Sequence, residues 1–303
     1  MNLNQHIDVS ADVDKALAEG RAVVALESTI ITHGMPWPDN AAMAAEVEAV
    51  VRAEGAVPAT IAVIGGRLKI GLAAAEREAL AQAKGAMKLS RADLAFAVAE
   101  GRTGGTTVAA TMMAAALAGI RVFATGGIGG AHKGAETSFD VSADLDELAR
   151  TPVIVVSAGA KAILDVPKTL EILETRGVPV VACGQDAMPA FWSAASPWMA
   201  PLRLDTPEAI ARFQRTRAEL GVEGGMLVAN PIGVADEIPF DVMAGHIAAA
   251  QRAADEEGVS GKAVTPFLLG EILKLTGGAS LKANIALVKG NARLAARIAR
   301  ALD

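Results

Sequence analysis

Short apolar runs alternate with longer amphipathic stretches along almost the whole of this 303-residue chain. Residues 23–26, VVAL, are followed by a helical pattern, and the same succession recurs down to MLVA at residues 226–229. Strands that alternate with helices are typical of α/β folds, in which helices cover both faces of the sheet. We therefore predict a three-layer α/β/α sandwich with a largely parallel mixed sheet. No linker or repeat marks a boundary, so residues 1–303 are predicted to form one catalytic domain.

The hydrophobic pattern also places the individual elements. The predicted strands are Val23–Ile31, Thr60–Ile64, Leu94–Val98, Arg121–Thr125, Val153–Ser157, Val178–Ala182 and Met226–Ala229, with a hairpin arm at Arg67–Ile70. The predicted helices are Asp39–Ala53, Ala73–Ala83, Thr107–Ala118, Ala143–Arg150 and Thr206–Leu220. From Phe240 onward the chain is expected to be mostly helical, whereas the proline-containing residues 184–203 are expected to be irregular.

Charge and cysteine content exclude several classes of protein. The net charge is −6, and no basic stripe with interleaved aromatic residues is present, so we predict no nucleic-acid partner. The apolar stretch Val108–Ile120 is too short to span a bilayer, and the polar N-terminus has no signal-peptide core. The one cysteine, Cys183, cannot form an intrachain disulfide, which fits a reducing compartment. A cytoplasmic protein without a membrane partner is the prediction.

Lys161 is the most informative candidate for chemistry. It follows the apolar run Thr151–Ser157 in TPVIVVSAGAKAILD, after small residues that would let a substrate approach the backbone closely. A lysine carried into such a pocket loses hydration, which favours the neutral, nucleophilic amine that forms Schiff bases. The alternative is a solvated lysine in a strand–helix loop, which is the commoner situation.

A carboxylate occupies the corresponding place on an earlier strand. Glu27 ends the run Val23–Leu26 within ALESTIITHGMPWPDN, and a dense polar cluster follows it. In α/β proteins, catalytic groups lie at the carboxyl ends of strands. Glu27 is therefore a candidate for acid–base chemistry.

Three glycine-rich turns invite a nucleotide-binding interpretation, which their spacing does not support. None of IGGRLKIG, GRTGGTTV and TGGIGGAHKG matches a dinucleotide fingerprint or a phosphate loop. GGTTV at a helix start is instead compatible with an anion or sugar site, in which Thr106 and Thr107 cap the helix and free N–H groups face the ligand. A plain capped helix is the alternative.

An acidic cluster in FDVSADLDELAR also has two interpretations. Its carboxylates are Asp140, Asp144, Asp146 and Glu147. A negatively charged first helical turn is common and mildly stabilising. Few carboxylates can also hold a hard divalent cation, with waters and substrate oxygens completing the coordination. The four histidines show no metal-ligand spacing, so a zinc site is not expected.

Together, the segments around Glu27, SFDVSADLDEL and Lys161 resemble the pseudouridine-5′-phosphate glycosidases, which share an α/β/α fold with the indigoidine synthase A group. The resemblance runs from about Val23 to about Asn291. It implies that Glu27 is the proton donor and Lys161 the nucleophile, and that Asp140 binds Mn²⁺. It also implies that Lys88, Val108, Ser142, Ala143 and Asp144 contact the substrate. Thr106 from GGTTV, together with His132 and Asn284, completes the set of predicted substrate-binding residues. By the residues alone, the alternative for Lys88 is a surface lysine, and the alternative for Asn284 is a buried structural hydrogen bond.

The resemblance further implies a reversible cleavage of pseudouridine 5′-phosphate to uracil and ribose 5-phosphate by a homotrimer. Protonation of a leaving oxygen between two carboxylates is the ordinary glycosidase route, and it gains little when the leaving atom is carbon. A lysine Schiff base on ring-opened ribose supplies an electron sink instead. Two other functions share parts of this site: a class I aldolase-like enzyme acting on another sugar phosphate, and a non-catalytic sugar-phosphate-binding relative.

Overall fold

An eleven-stranded mixed sheet forms the centre of the computed structural model, which describes residues 5–259 and 264–302. Its strands are β1 (Ile7–Val9), β2 (Val23–Leu26), β3 (Val57–Ile64), β4 (Arg67–Ile70), β5 (Met87–Leu89), β6 (Gly104–Thr106), β7 (Val122–Ala124), β8 (Ile154–Ser157), β9 (Val180–Cys183), β10 (Leu202–Leu204) and β11 (Met226–Ala229). The main order is β1-β4-β3-β2-β7-β8-β11-β9-β10, with β6 paired to β3 and β5 to β6. From β3 through β2 to β10 every neighbouring pair is parallel.

Helices cover both faces of this sheet. They are α1 (Ala11–Ala18), α2 (Asp39–Ala53), α3 (Ala74–Ala81), α4 (Arg91–Ala99), α5 (Val108–Leu117), α6 (Ala135–Ser138), α7 (Ala143–Arg150), α8 (Val166–Thr175), α9 (Pro207–Glu219), α10 (Phe240–Glu256), α11 (Val264–Leu275) and α12 (Ala279–Leu302). On one face α12 packs against α2 and α9, and on the other α5 packs against α4 and α7. The predicted three-layer α/β/α architecture is confirmed.

The central strands are buried on both faces, which explains their continuous apolar sequences. All four residues of β2, of β8 and of β11 are buried. Phe123 in β7 is among the largest fully buried side chains. Burial of each such large apolar side chain contributes about 1.5 to 3 kcal/mol relative to exposure. The alternation of apolar runs with amphipathic helices therefore reflects a core that lies between helices and sheet.

The prediction of a strand over Val23–Ile31 was correct only as far as Leu26. Beyond it, buried Ser28 donates from its hydroxyl to the carbonyl of Ile61 at 2.6 Å and turns the chain. A π-helical turn, Ile30–Gly34, follows instead of a strand. The apolar pattern could not show this, since Ile30 and Ile31 are as hydrophobic as the strand before them.

The predicted strand Leu94–Val98 was wrong, because this segment lies in helix α4. At the start of this helix the amide of Ser90 donates to Oδ2 of Asp93 at 3.0 Å. Leu94 and Ala97 are buried whereas Phe96 is exposed, a spacing that belongs to a helix and not to a strand. The hairpin arm Arg67–Ile70 is confirmed, as β4 pairs antiparallel with β3.

The parallel strands bring distant segments to one edge of the sheet. The carboxyl ends of β2, β7, β8 and β11 all point the same way, and the residues that follow them begin the loops of that edge.

Residues 260–263, within the stretch predicted to be mostly helical, lie outside the described residues. Within the described ranges, no helix is both long enough and apolar enough to cross a bilayer.

Candidate active site

A cavity of about 630 Å³ opens at the carboxyl edge of the sheet. This volume lies within the range of small-molecule sites. Eight of the predicted site residues line it: Glu27, Lys88, Val108, His132, Asp140, Ser142, Asp144 and Lys161. The structure thus brings together residues that are as far apart in sequence as 27 and 161. Most of the predicted site residues therefore share one cavity.

Glu27 lies directly after β2 and reaches into this cavity. The hydroxyl of Thr125, which follows the neighbouring strand β7, donates to Oε1 of Glu27. Burial raises the pKa of Glu27 above its ordinary value, and Asp144 acts in the same direction, while Lys161, the Thr125 hydroxyl and Lys88 oppose the shift. A carboxyl group whose pKa is raised retains its proton closer to neutral pH, as a general acid requires.

Lys161 enters the cavity from the loop after β8. Its amide donates to the carbonyl of Ile128 at 3.0 Å, and the amide of Ile128 donates to the carbonyl of Gly159 at 3.1 Å. These bonds join the Lys161 loop to the glycine-rich loop after β7. The backbone of Lys161 is therefore held by two loops, and its side chain shares the cavity with Glu27.

The small residues before Lys161 have a different role from the one predicted. Ser157, Ala158 and Ala160 are buried, and they do not line the cavity. Gly159 has a positive φ of 87°, and a Cβ there would lie 3.0 Å from the carbonyl oxygen of Pro189. These residues allow the Pro189 segment to pack closely beneath the loop, and the expected approach of substrate to their backbone is not what they provide.

Several groups that can bind an anion converge on the cavity. Thr107, the N-cap of α5, and Val108, its first residue, both line it. Ser142, the N-cap of α7, also lines it, and its hydroxyl accepts from the amide of Asp144 at 3.2 Å. Lys88, the middle residue of β5, adds a cationic side chain. Helix N-termini and a lysine around one space favour a negatively charged ligand group.

Asp144 is buried and links three segments at the floor of this site. Its Oδ1 accepts from the amide of Ala109 at 2.9 Å, and its Oδ2 accepts from the amide of Gly129 at 2.8 Å. A Cβ on Gly129 would lie 2.2 Å from the hydroxyl oxygen of Ser142, so no larger residue fits there. Asp144 therefore ties the start of α5 and the glycine-rich loop to α7.

Replacing Asp144 with asparagine is expected to lower the free energy of unfolding by about 2 to 4 kcal/mol. An amide nitrogen cannot accept, so one of two charge-assisted bonds is lost and a backbone N–H loses its partner. Urea denaturation would measure the change. Asp146→Asn, on the exposed side of the same helix, should change stability by less than about 1 kcal/mol; equal effects in the two variants would contradict the linking role.

Three predicted substrate contacts do not line the cavity. The hydroxyl of Thr106 is fully buried and donates to the carbonyl of Ile61 at 2.8 Å, so this hydroxyl has a structural partner, and the contact of Thr106 with substrate stays a prediction. Ala143 is exposed beside Ser142. Asn284 lies on α12 near Gly126, and its Oδ1 is buried without a hydrogen-bond partner among the described residues.

Asp140 and His132 lie together on the loop that precedes α7. The amide of His132 donates to the carbonyl of Asp140 at 3.0 Å, and both side chains line the cavity. Among residues 5–259 and 264–302, no three His, Cys, Asp or Glu side chains group as a metal-ligand set. An exposed single carboxylate fits a hard divalent ion that keeps most of its waters, and it does not fit zinc.

Sequence reasoning missed several cavity residues. They are Thr29, Ser90, Asp93, Gly129, Gly130, Ser138, Ile163, Leu164 and Thr265. Thr29 belongs to the polar cluster after Glu27, which was a usable signal. Thr265 comes from α11, and no local pattern connects that helix with the edge of the sheet. Thr125 was missed as well, since its contact with Glu27 depends on the pairing of β2 with β7.

Comparison with known proteins shows the family of this chain. The family model for indigoidine synthase A like protein matches residues 12–301. The chain belongs to this family. It is 72% identical over 296 residues to a pseudouridine-5′-phosphate glycosidase of Mesorhizobium japonicum, covering 98% of this chain and 97% of the relative.

Two solved structures of the family have the same fold. The prealnumycin C-glycosynthase AlnA, in complex with ribulose 5-phosphate, superposes with a TM-score of 0.92 at 39% identity, covering 98% of this chain and 97% of that one. An indigoidine synthase A-like protein from Thermotoga maritima gives a TM-score of 0.87 at 33% identity, covering 97% and 95%. Members of this indigoidine synthase A-like family therefore share the mixed sheet and its covering helices.

Proposed function

We propose that this protein is a pseudouridine-5′-phosphate glycosidase, which reversibly cleaves the C–C glycosidic bond to give uracil and ribose 5-phosphate. The observation that carries this proposal is that Glu27 and Lys161 line one cavity, which is also lined by groups that can bind a phosphate. The 72% identical relative is a pseudouridine-5′-phosphate glycosidase, which supports pseudouridine 5′-phosphate as the substrate. The complex of the C-glycosynthase with ribulose 5-phosphate supports a pentose phosphate as the bound group.

The phosphate is expected to bind where the positive groups converge. Lys88 supplies a cationic side chain, and the N-termini of α5 and α7 supply backbone N–H groups near Val108 and Ser142. This arrangement matches the dianionic end of a nucleotide monophosphate. The ribose would then extend from this end of the cavity toward Glu27 and Lys161.

The chemistry follows from the two catalytic residues. Glu27 gives its proton to the ribose ring oxygen as the bond from this oxygen to C1′ breaks and the ring opens, and Lys161 attacks C1′ to form a covalent amine adduct. The nitrogen lone pair then forms the Schiff-base iminium as the C1′–carbon bond to uracil breaks in a retro-Mannich-like step, and the electron pair of that bond passes to the uracil ring. Protonation of the uracil ring carbon releases the base, and hydrolysis of the Schiff base releases ribose 5-phosphate. One amine and one carboxylic acid account for cleavage without an organic cofactor.

Asn284 is retained as a candidate contact for the base. Its Oδ1 is buried beside Gly126 and lacks a hydrogen-bond donor among the described residues. Gly126 lies next to Thr125, which contacts Glu27. A uracil N–H is a donor of the kind that this oxygen lacks, and satisfying a buried acceptor is favourable.

We also infer that the enzyme uses one Mn²⁺, or a similar divalent ion, per subunit. Asp140 would hold it, with water and substrate oxygens as the other ligands. The ion would supply positive charge to the substrate oxygens. Manganese electron paramagnetic resonance should report binding to the wild-type protein with substrate and weaker binding to Asp140→Asn; equal binding by both proteins would exclude Asp140 as the ligand.

We further propose, from the family resemblance, that the chain folds as a single catalytic domain and assembles as a homotrimer. Its proposed location is the cytoplasm. One large hydrophobic cluster includes buried residues from Val13 to Leu302, which supports one domain. Light scattering after size exclusion would measure the mass of the assembly against the subunit mass of 30.9 kDa. A mass of one subunit would contradict the trimer, and recovery of the native protein outside the cytoplasmic fraction would contradict the location.

Borohydride trapping tests the proposed function directly. The protein is mixed with pseudouridine 5′-phosphate and Mn²⁺, reduced, digested and mapped by mass spectrometry. The expected result is a reduced pentose phosphate on Lys161 together with free uracil. An adduct on Lys161 from other sugar phosphates only, without uracil release, would favour the aldolase-like function. Binding without any adduct would favour a non-catalytic relative.

A further inference from the structure

The side chain of Glu27 is held through one of its two oxygens. Oε1 accepts from the hydroxyl of Thr125, and Oε2 has no hydrogen-bond partner among the described residues. Glu27 follows Leu26 at the end of β2, and Thr125 follows Ala124 at the end of β7. Leu26 and Ala124 are partners in the parallel pairing of these two strands. The contact is therefore a direct result of sheet register.

Hydrogen bonds on both sides of Thr125 hold its backbone in place. It is buried, with 1% of its surface exposed, and its amide donates to the carbonyl of Val156 at 3.0 Å. Its carbonyl accepts from Nδ2 of Asn291 at 2.8 Å. Oδ1 of Asn291 accepts in turn from Nδ2 of Asn230 at 3.0 Å. Strands β8 and β11 and helix α12 thus hold the backbone that carries the Thr125 hydroxyl.

We propose that Thr125 is a positioning residue for the proton donor: its hydroxyl occupies Oε1 of Glu27 and leaves Oε2 to carry the transferred proton. The inference rests on the proposed function. In the neutral acid, Oε1 is the carbonyl oxygen and accepts from Thr125, so the proton resides on Oε2 in the cavity. When that proton passes to the ribose ring oxygen, the bonding electron pair stays on the carboxylate. The Thr125 hydroxyl remains a donor to Oε1 throughout.

The charges around Glu27 set the direction of the expected pH effect. Lys161, Asp144 and Lys88 are the charged groups that act on it, and the bond from Thr125 lowers its pKa against the larger effect of burial. Removing the hydroxyl should therefore raise the pKa of Glu27 further. A general acid loses activity as pH rises through its pKa, so the basic limb of the kcat profile should move to higher pH.

The test compares Thr125→Val, which keeps the shape and loses the hydroxyl, with Thr125→Ser, which keeps it. The valine variant should lose roughly 10- to 100-fold in kcat with a small change in KM, and its basic limb should move to higher pH; the serine variant should recover both. Thr151→Val is a matched control, because Thr151 also donates to a buried glutamate, Glu147, away from the cavity. That control should change neither kcat nor the pH profile.

A second measurement does not depend on the substrate. Carbon-13 spectra of labelled glutamate carboxyl groups, with Glu27 assigned through Glu27→Gln, report its titration directly. A shift to higher pH in Thr125→Val and none in Thr125→Ser supports the proposal. An unchanged titration, or a fall in kcat without movement of the basic limb, overturns it. If the wild-type protein released no uracil, the proposed function would fail, whereas the titration would still decide the link between Thr125 and Glu27.

Discussion

Replacement of Lys161 by alanine is expected to abolish turnover of pseudouridine 5′-phosphate while leaving the fold intact. The side chain lines the cavity and makes no hydrogen bond or ion pair with other described residues, so its removal costs little packing. Loss of a covalent nucleophile typically lowers kcat by roughly 10³-fold or more. Uracil release would measure activity, and thermal unfolding would measure stability.

Two further variants make this expectation specific. Lys161→Arg keeps the positive charge, yet a guanidinium does not form a Schiff base, so it should be as inactive as the alanine variant. Lys15→Ala removes an exposed lysine from α1 and should retain full activity. Substantial activity in Lys161→Arg would show that charge, and not covalent attack, is the contribution of this residue, and the Schiff-base mechanism would be abandoned.

Glu27→Gln is expected to reduce kcat by about 10²- to 10⁴-fold with much less effect on KM. The amide retains the shape and its oxygen still accepts from Thr125, but it has no acidic proton to transfer. Steady-state kinetics over a range of substrate concentrations would separate the two parameters. A defect in KM alone would argue that Glu27 binds substrate and does not transfer a proton.

The pH dependence gives an independent check on Glu27. Because burial raises its pKa, the acid form persists to a higher pH than for an ordinary glutamate, and kcat should decline as pH rises through that value. The glutamine variant should lack this basic limb. Glu46→Gln, at the exposed ion pair with Lys289, is the matched control and should keep the wild-type profile.

Local sequence patterns predicted elements well where local physics decides them. Helix α7 was placed correctly over Ala143–Arg150, because Ser142 is a good N-cap and the charges suit a first turn. The segment Leu94–Val98 was misplaced because an alanine-rich apolar run is compatible with either a strand or a helix. The π-helical turn Ile30–Gly34 was missed, since a hydrogen bond from Ser28 to the distant Ile61 ends the strand before it.

By itself the sequence determined the α/β class and the candidates Glu27 and Lys161, because hydrophobic period and position after an apolar run are local properties. Only the tertiary structure decided that these two share a cavity, that the small residues before Lys161 face the core, and that Thr106 is a structural hydroxyl. The bond from Thr125 to Glu27 depends on β7 lying beside β2. Strand order is a long-range outcome of how all the layers pack together, and no single segment contains it.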